Sequence, residues 1–178
     1  DVKLARQNWA GAEEIAKTIR QIGSNERIGD QILAAVLSGQ GKHTDSIKLL
    51  EKQTDAPGAA QPPLGPLVNT MIRAKKLDEA VNFLQSVLKA NPDKAEAYVL
   101  LGAVQIQKNL PEQAERSFRA AIERQPKDPS AYIALANFYA QNRKIDEAEK
   151  TIRAGLKVQP DNFAMRLSYA SVMENKGD

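Results

Sequence analysis

AEAYVLLGAVQIQKNLPEQAERSFRAAIERQPKD, residues 95–128, decides the fold. Tyr98, Leu101, Gly102 and Gln105 fall on one face of a first helix, an apolar stripe with one glycine at helical spacing. Lys108-Asn109-Leu110 reads as a turn. Pro111 then suits the first position of a second helix, where its missing N–H is not needed. Ala114, Phe118, Ala121 and Ile122 give that second helix an apolar face, and Pro126 closes the stretch. Steps of 34 residues in either direction find the same features. Pro92, Pro126 and Pro160 share the period, as do Ala80, Ala114 and Ala148, Leu67, Leu101 and Leu135, and the pair Tyr98 and Tyr132. A period of this length marks solenoids of paired helices, in which no unit buries its apolar face without neighbours. The expectation is an all-α array of antiparallel helix pairs.

The period divides the chain into full units 27–60, 61–94, 95–128 and 129–162, with partial units 1–26 and 163–178. The unit from Arg27 is degenerate, and its second helix is expected to stop near Lys52 to Thr54. Asp55 to Pro63, rich in Pro, Gly and Ala, reads as a long connection inside one continuous array. Pro66 falls in the first turn of the helix that follows. Asp93, Asp128 and Asp161, after the closing prolines, are expected to cap first helices. The first residues read as the end of a helix, and Glu174 to Asp178 as the turn before a second helix. Neither end has the polar outer face of a capping repeat, so a piece of a longer array is expected. The helices near Ala12–Ile19 and Ala164–Met173 would then carry uncovered apolar faces and associate end to end.

Apolar residues make up 42 % of the 178, enough to bury a strip between helices, whereas aromatics are only 5 %. Ala and Leu dominate, as close helix contacts require. There is no cysteine, which excludes disulfides and thiolate metal sites. The 25 basic residues against 22 acidic ones leave only +3. That excess is dispersed, and charges such as Glu112, Glu115, Arg116 and Arg119 alternate along a helix as a solvated face does. A nucleic-acid partner, which needs a basic stripe, is not expected. Nor is membrane insertion, because no apolar run reaches the ~18 residues of a span. The compartment stays open, cytoplasmic or periplasmic.

Catalysis, cofactors and metals are not expected. His43 is the only histidine and has no second His or Cys to join it. Asp78-Glu79 and Asp146-Glu147-Glu149 open second helices, where negative charge offsets the helix dipole. Gly39-Gln40-Gly41-Lys42 follows no strand and is read as a turn, not a phosphate loop. Trp9, the single tryptophan, is expected to cover a helix end.

The pattern of aromatic, Leu-Gly and aromatic in the first helix, Ala then Phe in the second, and a closing proline resembles the tetratricopeptide repeat. Tyr98, Leu101, Gly102, Ala114, Phe118, Ala121 and Pro126 carry one match, with Gln105 departing at the second aromatic. Tyr132, Leu135, Ala136, Tyr139, Ala148 and Pro160 carry another. Elsewhere Ala34, Val68, Ala136 and Ala170 replace the glycine, and Asp30, Leu64 and Arg166 the first aromatic. The resemblance implies a right-handed superhelix whose concave groove is lined by first helices, acting as a non-catalytic scaffold for a protein or peptide partner. Some relatives grip the carboxylate end of a chaperone peptide with Lys, Asn and Arg at fixed places. Here only Asn69 agrees, while Gly65, Leu100, Ser130 and Ala134 fill the other places. Repeat geometry puts Asn69, Ile72, Arg73, Val99, Ala103, Ile106, Ile133, Asn137 and Gln141 on the groove face, with Glu96, Ser130, Ala140, Leu167 and Ser171 beside them. Such a lining suits a helix or extended peptide held by apolar contact, with amides bonding its backbone. Val99, Ile133 and Leu167 serve equally well as packing between helices. A recruiting arm of a larger enzyme and an assembly part of a bacterial envelope or polysaccharide-export system are the alternative roles.

Overall fold

The computed structural model describes residues 9–22, 26–51 and 64–177. Among them are ten helices and no strand: α1 (Trp9–Gln21), α2 (Glu26–Gly39), α3 (His43–Glu51), α4 (Leu64–Arg73), α5 (Leu77–Ala90), α6 (Ala95–Gln107), α7 (Pro111–Arg124), α8 (Pro129–Gln141), α9 (Ile145–Val158) and α10 (Phe163–Lys176). The second helices of the repeat open at residues 9, 43, 77, 111 and 145, each 34 after the last. The expected all-α solenoid class of antiparallel helix pairs is the one observed. The helix end expected at 52–54, the connection over 55–63 and the helix end at the first residues lie outside the described residues.

The chain divides into two compact units, residues 1–80 and 81–178. In the first, α2 packs against α1, α3 and α4, and α3 against α4. Arg20 of α1 pairs with Asp30 of α2 at 2.9 Å, which explains how an acid stands where the repeat pattern has an aromatic. Ser46 is fully buried and donates to the Ala34 carbonyl at 2.7 Å. Trp9 opens α1, and its indole lies against Gly39, covering the end of α2 as expected. In the second unit α6 pairs with α7, α8 with α9, and α10 packs on α9. The first helices α6, α8 and α10 lie side by side.

Four turns share one hydrogen-bond pattern. The amides of Lys42, Lys76, Leu110 and Lys144 donate to the carbonyls of Leu37, Met71, Gln105 and Tyr139, all at 2.9 Å. The residue before each donor, Gly41, Lys75, Asn109 and Arg143, has a positive φ of 81°, 58°, 59° and 59°. This left-handed step satisfies the last carbonyls of the preceding helix. Gly39 to Lys42 is thus the turn read from sequence, and His43 is the first residue of α3, not a turn residue. The repeat places the left-handed residue every 34 positions, although only one of the four is glycine.

Capping follows the sequence reading only in part. Asp128 caps α8, accepting from the Ser130 amide at 2.9 Å. Asp93 and Asp161 cap nothing, because they stand one residue earlier in the repeat. Lys94 and Asn162 occupy the cap of α6 and α10, and Asn162 accepts from the Met165 amide at 3.0 Å. Asp93 instead takes Arg124 at 3.2 Å and Asp161 takes Arg166 at 2.7 Å. The expected turn over Glu174 to Asp178 is also shorter than read. Nothing before Gly177 breaks the helix, so α10 continues to Lys176 and ends on Gly177 at φ 87°.

The tightest contact joins the two helices of one unit. A Cβ added at Gly102 would meet Phe118 ring carbons at 2.5, 2.7 and 2.8 Å. Phe118 is 3 % exposed, and Ala80, Ala114 and Ala148 are all completely buried, as their period predicts. Alanine at position 102 would raise helix propensity by about 1 kcal/mol while overpacking costs about 1–3 kcal/mol, so the contact wins. Gly102→Ala is therefore expected to lower stability to chemical denaturation by about 1 kcal/mol net. In a Phe118→Leu background the same change should become stabilising, since the clash is gone and the propensity gain remains. Identical effects in both backgrounds would show that Phe118 does not set the size of residue 102.

Candidate functional site

The first helices of the second unit each bury one side and leave the other open. On α8, Tyr132, Leu135, Ala136 and Tyr139 are buried, whereas Ser130, Asn137 and Gln141 are exposed. The open sides of α8 and α10 form a shallow depression of about 310 Å³ lined by Asn137, Ala140, Gln141, Ser171, Val172 and Asn175. Asn137 and Gln141 are one turn apart on α8, and Ser171 and Asn175 one turn apart on α10. Asn175 donates its amide to the Ser171 carbonyl at 2.9 Å, which fixes its side chain. No hydrogen bond among the described residues engages the side chains of Asn137, Gln141 or Ser171. Two carboxamides and a hydroxyl therefore face one apolar floor with their donors and acceptors unused.

Of the residues placed on the groove by repeat geometry, Asn137 and Gln141 meet here, together with Ala140 and Ser171. Val99, Ile106 and Ile133 are half-buried and pack against the hydrophobic core, so helix packing already occupies them. Ala103 is half-buried on α6. Asn69 and Arg73 are exposed and Ile72 half-buried on α4, in the other unit. Glu96 is exposed at the start of α6, and Leu167 is 62 % exposed on α10. Val172 and Asn175 were missed. The signal for Asn175 was present, since 34 residues after Gln141 is Asn175, just as Ser171 follows Asn137. Reading those last residues as a turn hid it.

A second depression, of about 320 Å³, lies between the second helices α7 and α9 over Tyr132, Leu135 and Tyr139 of α8. Its polar groups are consumed internally. The Tyr139 hydroxyl donates to Glu115 Oε1 at 2.7 Å and accepts from Arg119 Nη2 at 2.6 Å, while Arg119 Nε donates to the same carboxylate at 3.0 Å. Burial, then the carboxylate beside it, pushes the Tyr139 phenol up to about 12. The bond from Tyr139 holds the Glu115 carboxyl below its ordinary value, and Arg119 adds to this. The device recurs 34 residues on, where Arg153 pairs with Glu149 at 2.8 Å and donates to the Tyr169 hydroxyl at 2.7 Å. These groups latch a second helix to the next first helix and leave little to offer a ligand. Among the described residues no group of His, Asp and Glu could hold a metal ion, and no helix is long and apolar enough to cross a membrane. His43 Nδ1 lies 3.3 Å from the Ser38 hydroxyl, a local contact between α2 and α3.

Comparison with known proteins fits this arrangement. The family model for the tetratricopeptide repeat matches residues 71–129 and 106–171, more than half of the chain. The chain belongs to the tetratricopeptide repeat family. No curated protein sequence matches it. Among solved structures it is similar to TTC0263, a thermophilic repeat protein of Thermus thermophilus, at 18 % identity and a TM-score of 0.69, over 97 % of this chain and 96 % of that one. It is similar to the first repeat domain of Spaghetti (RPAP3) bound to an HSP90 peptide, at 18 % identity and a TM-score of 0.53, over 65 % and 94 % of the two chains. It is also similar to the Yersinia enterocolitica type III secretion chaperone SycD bound to a peptide of the translocator YopD, at 15 % identity and a TM-score of 0.51, over 64 % and 92 %. At these identities the likeness shows the fold. The repeat is typically an interaction module, and this chain is a protein-interaction scaffold in that sense.

The latch gives a pH prediction. A carboxyl lowered in the folded state stabilises above its ordinary pKa, and that contribution disappears as pH falls through the folded value. Tyr139→Phe should lower the melting temperature at pH 7. The gap from the parent chain should stay constant down to about pH 4.5, the ordinary Glu value, and close below it. A gap that widens with acid would contradict the role of Glu115.

Proposed function

We propose that this chain is a non-catalytic scaffold that binds an extended segment of a partner protein on the open face of α8 and α10. The observation that carries this reading is the unsatisfied carboxamide pair, Asn137 and Gln141, facing Ser171 across an apolar floor. An amide that makes no bond within its own fold is matched to a peptide backbone, which offers one donor and one acceptor per residue. Related folds seen with bound peptides, the HSP90 peptide on Spaghetti and the YopD peptide on SycD, support a peptide ligand. The mode differs from a carboxylate clamp. Gly65, Leu100, Ser130 and Ala134 supply no cation where such a clamp requires one.

End-to-end association through a second copy is the further part of this reading. Phe163 is 79 % and Leu167 62 % exposed on α10, whereas Ala95, which holds the position of Phe163 two repeats earlier, is wholly buried against Ala121 and Ala131. α1 stands in the phase of a second helix, and its Ile15 is 58 % exposed. A second copy's α1 is thus the helix type that α10 accepts. Sedimentation of the 178-residue chain should show mass rising with concentration, and Leu167→Asp should abolish the rise. A monomer at all concentrations would remove this part.

Asn137→Ala tests the groove. It should weaken partner binding by about 1–2 kcal/mol, the scale of a hydrogen bond lost with its partner left unpaired. The melting temperature should stay nearly unchanged, because no intrachain bond is removed. A variant that melts several degrees lower and keeps its partners would make Asn137 structural.

A further inference from the structure

We infer that the segment taken by the α8–α10 depression is uncharged at its centre and carries a basic side chain next to it, with no part for a free terminal carboxylate. This rests on the reading of that depression as a peptide seat and adds the chemistry of its occupant.

The first step is which charges face the seat. Its lining holds no ionisable group: Asn137, Ala140, Gln141, Ser171, Val172 and Asn175 are all neutral. Glu174 lies on α10 one turn beyond Ser171, at the repeat position of Ala140, which lines the seat. It is exposed, and no ion pair among the described residues engages it. The other carboxylate on this side, Glu96 of α6, is exposed with Lys94 at 4.0 Å.

The second step is where the cations go. Arg166 of α10 turns to the Pro160 carbonyl at 2.8 Å and to Asp161 at 2.7 Å. Lys176 reaches Glu149 at 2.7 Å and Asp146 at 3.1 Å on α9, and those bonds push its ammonium up from its ordinary value. Lys144 stands over the Tyr139 ring at 5.9 Å, on the latch. The fold spends the nearby bases on the second-helix side and leaves a carboxylate beside the amides. Arg143, in the turn after α8, has no such tie and serves as the control.

An acidic segment would meet Glu174 without a compensating base, and a terminal carboxylate would exchange water for neutral amides. A neutral backbone loses nothing there, because carboxamides donate and accept in equal measure. A lysine or arginine flanking it gains Glu174. That gain is small and screened by salt, as for any exposed pair.

The experiment is selection of a displayed library of random short peptides on the full chain, with Asn137→Ala,Gln141→Ala as the depleting bait. Peptides dependent on the two amides are expected to carry more Lys and Arg than Asp and Glu. Synthesised with a carboxylate or an amide terminus, they should bind equally. Glu174→Lys should weaken them about two- to fivefold in low salt, with the difference vanishing near ~0.5 M salt, while Arg143→Ala changes nothing. Melting curves of both variants control for folding. Amide-dependent peptides that are acidic, or that need a free carboxylate or Arg143, would overturn this inference and leave the groove reading intact. If no peptide depends on Asn137 and Gln141, the groove reading falls and this inference with it.

Discussion

The contact between a large second-helix side chain and a small first-helix residue is the constraint on which the rest depends. Phe118 rests where Gly102 has no Cβ. The same phase, sixteen residues apart, is held by Ala136 with Ile152 and by Ala34 with Leu50, all at most 1 % exposed. Where the first-helix residue gains a methyl, the second-helix residue is no longer aromatic. Sizes trade at one place in the unit, and the helices approach to the same degree. That place fixes which side of every first helix is consumed by packing, and so which side is left open.

The open side is then available for recognition because the opposite side is closed. Second helices spend their charges on latches to the next first helix, as Glu115 and Arg119 do with Tyr139 and as Glu149 and Arg153 do near Tyr169. The polar groups of that face satisfy one another. Asn137, Gln141 and Ser171 do not, and they sit on the one side where no helix of the repeat packs. A fold that pairs the polar groups of one face and leaves carboxamides unused on an apolar floor at the other points to an outside partner.

Most of the fold was legible because a 34-residue period repeats its own evidence. Each second helix opens where the step of 34 places it, and Pro111 stands at the first position of α7. What failed was register at single residues. Asp93, Asp128 and Asp161 look alike in sequence, yet only Asp128 has the cap phase, because a cap needs its side chain within one hydrogen bond of a particular amide. The site was half legible. Asn137 and Gln141 follow from helix periodicity, but Val99 and Ile133 satisfy the same periodicity while packing inward. Spacing alone does not separate a half-buried packing residue from a binding one. Applying the step of 34 to the last helix would have found Asn175.

Amide hydrogen exchange of the full chain with and without a bound peptide tests the central claim most directly. The account predicts slowed exchange across α8 and α10, with α7 and α9 unchanged. Protection concentrated on α7 and α9 would place recognition on the latched face and contradict it.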